Sequence, residues 1–435
     1  MALSRRTFWR MLPLVVLTVG TAYALASWNW CGPWPERAPV VLSQARGEGA
    51  LKAGAARVAL APPFPVVMAG YSPPRKEASE ADPPLHARAV VLEAGGARVG
   101  LVSLELLSIT QEVSARVREK ARALGLGDVL VMATHTHSSL GGYDPRLVAQ
   151  LVGIGRYRPE TVDAILSAAG AALEGAAASL TPVTLEVGTA REQAFVYMRS
   201  GGEPPDGTLT RAVLRGQAGP VAELLVFAAH PTLVPRHRTA VDPDYPGRLS
   251  SVRESEGSGV TLVLQGAVGN ASVAFGEGWG LERVADFAKA LAALAGKAAL
   301  TPAGESVRLA LVRVEAAMPR PDSSRLVPSL TRAAGNNLLC HSSPRVAEVT
   351  ALTLGPLEWL GVPGEPTTGA GTELARRTGA TGVLGLTDGY LGYVETAELV
   401  KEGQGESRRQ YFGPALLERL GTAAELAAGT AGFTR

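Results

Sequence analysis

Val99-Gly-Leu-Val-Ser-Leu-Glu-Leu-Leu107, then Val113–Leu124, then Asp128-Val-Leu-Val-Met-Ala133-Thr-His135-Thr-His137 is the stretch on which the fold class turns. Its first and last segments are apolar runs of strand length. The middle one carries apolar residues at three- and four-residue spacing, the period of a helix lying on a core. Strand, helix and strand in that order predict an α/β architecture. Similar runs recur at Val183–Val187, Leu224–Ala229, Val260–Leu264, Val307–Val312, Val349–Leu354 and Val383–Leu386, with helical spacing over Pro159–Ala177 and Leu281–Ala299. The pattern predicts a single large mixed-sheet domain with flanking helices over residues 56–435, with no internal repeat and no second domain boundary.

Before this domain the chain reads differently. Arg5, Arg6 and Arg10 precede an apolar run from Met11 to about Trp28, and Ala24-Leu25-Ala26 offers small residues at signal-peptidase spacing. Residues 1–28 are therefore expected to be a signal peptide or an N-terminal membrane anchor. Ser4-Arg5-Arg6-Thr7-Phe8 resembles a twin-arginine export signal. Residues 29–55 show no clear period and read as a linker. Either fate of the first segment puts the bulk of the chain outside the cytoplasm: periplasmic, secreted or anchored facing outward.

Composition narrows the classes further. The 435 residues are 46% hydrophobic and 19% charged, enough for a sizeable core and far from the signature of disorder. A net charge of +2 gives no basic footprint for nucleic acid. Two cysteines, Cys31 and Cys340, make no disulfide framework, but an oxidising compartment allows one bridge between them. The oligomeric state has no sequence signal.

The six histidines are unevenly placed. His135 and His137 follow one apolar run and His230 another, at the strand ends where α/β sheets collect ligands. On a strand, His-x-His would project both rings to one face, and a third imidazole from a neighbouring strand begins a zinc site. Glu365 follows Val362-Pro363-Gly364, well placed as an oxygen ligand. Tyr390 and Tyr393 follow a further run. Gln265-Gly-Ala-Val-Gly-Asn-Ala-Ser272 is a Gly-rich loop at a strand end. It lacks the Gly-x-Ser-x-Gly elbow, so a serine triad of the α/β-hydrolase kind is poorly supported.

In order along the chain, Met68-Ala-Gly70-Tyr71, Ala133-Thr-His-Thr-His-Ser138 with Gly141-Gly-Tyr143, Arg199-Ser200, Phe227-Ala-Ala-His230-Pro231-Thr232, Gln265-Gly-Ala-Val-Gly269 with Ser272, Pro363-Gly-Glu365 and Tyr393-Val-Glu-Thr396 resemble the neutral/alkaline non-lysosomal ceramidase family. The likeness runs from about Arg57 to Leu420 and concerns the catalytic N-terminal domain, without the C-terminal immunoglobulin-like domain. It implies hydrolysis of the amide of ceramide or a related N-acyl lipid, giving a fatty acid and a sphingoid amine, through water activated by one zinc. By motif the zinc ligands would be His135, His230, Glu365 and Tyr393. His137 would be the acid/base or substrate-contacting residue, Ser272 a catalytically important serine, and Arg199 and Gly70 substrate-binding. Partners implied are a lipid substrate and a membrane surface.

Against the family pattern, Asn270 stands where an aspartate is usual and Met198 where an asparagine is. The segment after Thr396 is shortened, leaving one active-site tyrosine lacking. Two other readings therefore stand beside the first: a zinc esterase or amidase on another envelope substrate, and a metal-binding envelope protein without turnover.

Overall fold

The same order of elements occurs three times along the chain: three strands, a helix, a fourth strand and a second helix. The structure, a computed structural model, describes residues 5–28, 30–71, 77–276 and 280–434. Helix α1 (Arg5–Ser27) and strand β1 (Val40–Gly49) come first. The first unit is β2 (Lys52–Leu60), β3 (Leu85–Ala94), β4 (Ala97–Leu104), α2 (Gln111–Ala123), β5 (Asp128–Ala133) and α3 (Pro159–Ala178). The second is β6 (Thr184–Arg191), β7 (Thr208–Gly216), β8 (Gly219–Phe227), α4 (Asp244–Ser255), β9 (Val260–Gln265) and α5 (Leu281–Lys297). The third is β10 (Val307–Ala317), β11 (Val346–Leu354), β12 (Leu357–Gly361), α7 (Thr368–Thr378), β13 (Gly382–Leu384) and α8 (Leu416–Ala431), with α6 (Arg332–Ser342) inserted after β10.

In each unit the first three strands pair antiparallel, and the fourth returns parallel to the third through the intervening helix. A parallel return needs such a crossover. The three mixed sheets face a common core built from Leu101 and Leu130, Leu224 and Leu262, and Leu352 and Trp359, two from each unit. The outer face of each sheet is covered by its own helices. Helix α2 shows how sequence directs this. Thr110 caps it by accepting from the Val113 amide at 3.1 Å, and Val113, Val117 and Ala121 recur every four residues to bury one face. Burying each valine stabilises the fold by about 1.5–3 kcal/mol.

The C-terminal ends of the fourth strands meet in a ring. The Ala133 amide donates to Leu386 O (3.2 Å), the Gly385 amide to Gln265 O (2.9 Å), and Gln265 Nε2 to Thr134 O (2.9 Å). Each unit thus touches the other two at one point, and the polar loops leaving the strands are gathered there.

Three expectations are corrected or filled in. An internal repeat is present, but in topology and not in sequence: buried strands demand only apolarity, so nothing forces their residues to match. The linker over residues 29–55 is also revised, because 40–49 form β1 and 52–55 begin β2. Strand β1 pairs with β10 at a sheet edge, where Ser43, Gln44, Arg46 and Glu48 need no apolar run. Its Gly47 lies so close to the end of β3 that a Cβ would stand 2.2 Å from Ala94 O. Finally, Cys31 and Cys340 form a disulfide, tying the segment after α1 to α6. Among the described residues no helix is long and apolar enough to cross a membrane. Met1–Ser4, the start of the expected export segment, lie outside the described residues.

Candidate metal centre

All three units send donors to the point where the strand ends meet. His135 and His137 leave β5, His230 leaves β8, Glu365 leaves β12, and Tyr390 and Tyr393 follow β13. The sequence placed the His-x-His pair on one strand face, but β5 ends at Ala133 and the rings converge through a turn instead. His135 takes φ 69°, a left-handed backbone costly for a residue with a Cβ. Its amide donates to Leu106 O at 2.9 Å, which helps hold that geometry.

The three imidazoles are oriented alike. His135 Nδ1 lies 2.7 Å from Leu107 O, His137 Nδ1 2.7 Å from Gly70 O, and His230 Nδ1 3.0 Å from Ala271 O. A carbonyl can only accept, so each Nδ1 carries the proton and each Nε2 presents a lone pair to the centre. Nε2 of His135 and His137 are 3.3 Å apart. Glu365 Oε2 lies 3.0 Å from His230 Nε2 and 3.3 Å from His135 Nε2, and Tyr393 Oη lies 3.1 Å from His230 Nε2. Lone pairs facing lone pairs at this range repel unless a cation lies between them. Ligands at zinc bond lengths of about 2.0–2.1 Å in a tetrahedron would stand about 3.3 Å apart, which these separations match. The backbone-bound second nitrogens are likewise the usual support of metal-binding histidines.

His135, His137 and His230 thus form a cluster able to hold a metal ion. The sequence separated His137 from the ligands; the structure turns its Nε2 into the same space as theirs. Burial, then Arg199, pushes His230 down to about 4, so its ring is neutral at physiological pH. Burial and the neighbouring His135 and His230 hold His137 well below its ordinary value.

Around the donors lies a supporting layer. Tyr390 Oη donates to Glu365 Oε1 at 2.5 Å, leaving Oε2 for the centre. Arg199 is held by Glu406 Oε1 (3.0 Å) and Gly269 O (2.9 Å) and donates to Tyr393 Oη. Gly70 passes so close to His137 that a Cβ would lie 2.4 Å from His137 O. Ser272 sits on the backbone beside His230, bridged to it as neighbouring strand residues, but is not among the residues lining the cavity. Asn270 is consumed by the scaffold: its Oδ1 accepts from the Thr368 amide and hydroxyl, and its Nδ2 donates to Gly201 O and Glu203 O.

The centre forms the floor of a cavity of about 610 Å³. Gly70, His135, His137, Arg199, Glu365 and Tyr393 line the floor, while Val148, Ala149, Val152, Ile154 and Leu339 give an apolar wall. Sequence reasoning missed Arg409 and Tyr411, which also line it. Their segment has no histidine and no strand signal, and only the missing tyrosine noted after Thr396 drew attention there. Arg409 stacks over the Tyr393 ring at 5.5 Å.

Residues 55–200 match the model of the neutral/alkaline non-lysosomal ceramidase N-terminal domain. Among solved structures, neutral ceramidase from Pseudomonas aeruginosa is similar with a TM-score of 0.73 and 20% identity, over 88% of this chain and 74% of that one. A ceramidase complexed with C2 is similar with a TM-score of 0.74 and 20% identity, over 87% of this chain and 75% of that one. No curated protein matches in sequence. At this identity the structures speak for the fold, and the family match speaks for the segment that carries His135, His137 and Arg199. Over residues 55–200 the chain is similar to the neutral/alkaline non-lysosomal ceramidase family, and as a whole it has the fold of the two ceramidase structures.

Proposed function

We propose that this chain is a zinc-dependent hydrolase that cleaves the amide of ceramide or a related N-acyl lipid, giving a fatty acid and a sphingoid amine. One observation carries the reading: His135, His137, His230, Glu365 and Tyr393 turn their free donor atoms to one point at the floor of an apolar-walled cavity. We assign one metal ion to His135, His230, Glu365 and Tyr393, with His137 beside them. Bound there, zinc would polarise the amide carbonyl and make a water molecule acidic enough to attack at neutral pH.

The chain's own groups supply the rest. The apolar wall takes the acyl chain, since Val148, Val152 and Ile154 offer nothing polar to compete with the floor. Arg199, fixed from two sides, holds a positive charge beside Tyr393 where the carbonyl oxygen gains negative charge. His137 keeps its Nδ1 proton on Gly70 and offers Nε2 as an acceptor, so it can take a proton and return it to the departing amine. Ser272 acts through His230: it belongs to the short strand whose Ala271 carbonyl holds that ring.

Incubation of the purified chain with a fluorescent short-chain ceramide, with and without chelator, tests the reading. Amide cleavage that stops on chelation and returns with zinc is expected. Cleavage unaffected by chelation overturns the metal assignment; ester but no amide turnover favours the esterase reading. The reading without turnover drew on Asn270, and the scaffold role of that side chain removes much of its support. Export is proposed with the same function, supported by the Cys31–Cys340 disulfide, which persists in oxidising compartments.

A further inference from the structure

The apolar wall of the cavity continues outward onto the surface. A short helical stretch, Leu147–Ile154, turns Val148, Ala149, Val152 and Ile154 towards the cavity and leaves Leu147 and Leu151 57% and 62% exposed. Helix α6 packs against this stretch, lines the cavity with Leu339 and exposes Leu338. Leucines this exposed are ordinary when scattered, but these lie on adjoining elements around one opening.

The N-terminal segment is fastened to the same rim. Cys340 of α6 is bonded to Cys31, and Asn337 Nδ2 donates to Ala26 O (2.8 Å) and Trp28 O (2.6 Å), while its Oδ1 accepts from the Trp30 amide (3.2 Å). Trp28 and Trp30 are therefore held beside α6 with 68% and 54% of their surface exposed. Both follow Ala26, so they stay on the rim if the chain is cut there. Helix α1 itself exposes Leu14, Val16, Leu17 and Val19. Arg156, two residues past the stretch, and Arg332, the first residue of α6, are exposed as well.

We infer that the cavity mouth is a docking surface for a lipid bilayer. Exposed leucines and tryptophans flanked by arginines suit the boundary between acyl chains and anionic headgroups, where tryptophan is enriched. The occupant follows from continuity: an apolar helix joined to the rim by a disulfide and by Asn337 leads into it, and the rim leads into the apolar cavity wall. An acyl chain can then pass from membrane to cavity floor without crossing water. The disulfide fixes the tryptophans against α6, making the rim one surface instead of two. This inference concerns where the protein sits, and its physical readout does not depend on which bond is cut.

The test compares the full chain with Leu147→Glu/Leu151→Glu, which replaces no residue of the cavity lining, and with Val40→Glu/Leu42→Glu on β1 as a control. Hydrolysis is measured on ceramide in phosphatidylcholine/phosphatidylglycerol vesicles and on a monomeric short-chain ceramide. The rim variant is expected to lose about tenfold or more of the vesicle rate, with the monomeric rate and metal content unchanged and the control unaffected. An unchanged ratio of the two rates overturns the inference, as does an equal loss in the control. If neither substrate is cleaved, the function is wrong but the surface is still decided, by flotation of the same proteins with those vesicles. Equal partition of the rim variant and the full chain would then refute it. Leu338→Glu on α6 gives an independent second variant should the double one fold poorly.

Discussion

Two buried polar clusters of similar size lie close together, and they are built on opposite principles. In one, Arg313 is surrounded by Asp128 (3.0 Å), Glu348 (2.9 Å) and Asp388 (2.8 Å), with Arg118 adding a second cation at 2.9 Å from Glu348. Every carboxylate faces a guanidinium carried by the chain itself. In the other, three imidazole lone pairs, a carboxylate and a phenol oxygen face one another, and the nearest cation, Arg199, stands behind Tyr393. The first cluster is complete and joins β5, β10, β11 and the loop after β13. The second leaves donor atoms facing one another around a point where a metal ion could be held. Chemistry is built where charge balance is left open, and scaffold where it is closed.

The largest expected effects break the open cluster. His135→Ala and His230→Ala should each abolish metal binding, read by elemental analysis, and lower amide hydrolysis about a thousandfold or more. His137→Ala sharpens the comparison: retained metal with lost turnover makes it the proton carrier, and lost metal makes it a ligand. Arg313→Met breaks the closed cluster. Leaving buried carboxylates without their cation should cost about 3–5 kcal/mol in denaturant unfolding, while whatever remains folded keeps its metal.

Acid separates wild type from that variant. Burial raises the Asp128 carboxyl, but Arg313 outweighs it and leaves it below its ordinary 3.8; Glu105 is likewise held below 4.5 by Arg88 against its burial. The unfolded chain therefore binds more protons across this window, and both contributions are present at neutral pH and lost as pH falls below about 4. In Arg313→Met burial is opposed only by the hydrogen bonds from Ser43 and the Val129 amide, so the loss of stability in acid at Asp128 should shrink. A melting temperature that falls in parallel for both proteins would show that Arg313 is not what holds Asp128. A smaller effect is expected at the edge of the open cluster. Tyr390→Phe frees Glu365 Oε1 and should weaken metal affinity about 10- to 100-fold by competition titration, with little change in the rate at saturating metal.

How much of this could be read in the sequence follows the same division. The alternating strands and helices were legible because apolar periodicity reports burial directly, as in Val113, Val117 and Ala121 of α2. Strand β1 was not, because an edge strand with Ser43, Gln44 and Arg46 carries no such period. The threefold recurrence was invisible because strands such as β4, β8 and β12 share a topology and not side chains. His135, His137, His230, Glu365 and Tyr393 stood out by residue type and motif, and the structure gathers all five. The turn at His135 could not be foreseen, since a left-handed histidine leaves no mark in the sequence. Nor could the supporting layer, because Leu107, Gly70 and Ala271 act through backbone carbonyls that every residue possesses.

Asn270 lies on the border between the two principles, and the smallest expected effect is found there. By the sequence resemblance an aspartate is expected here, yet the bonds of Asn270 are those of a scaffold. An aspartate would keep both acceptor contacts to Thr368, and its charge would suit the N-terminus of α7. It could not donate to Gly201 O or Glu203 O, so two hydrogen bonds would become contacts between oxygens, and the 201–207 loop would lose its tie to α7. These terms oppose each other, so Asn270→Asp should cost about 1–2 kcal/mol of stability. Turnover on monomeric ceramide should stay within about twofold, because no reacting atom depends on that amide group. A change in turnover beyond tenfold at unchanged stability would move Asn270 into the chemistry, and the boundary between the closed and open parts of the molecule would have to be redrawn around it.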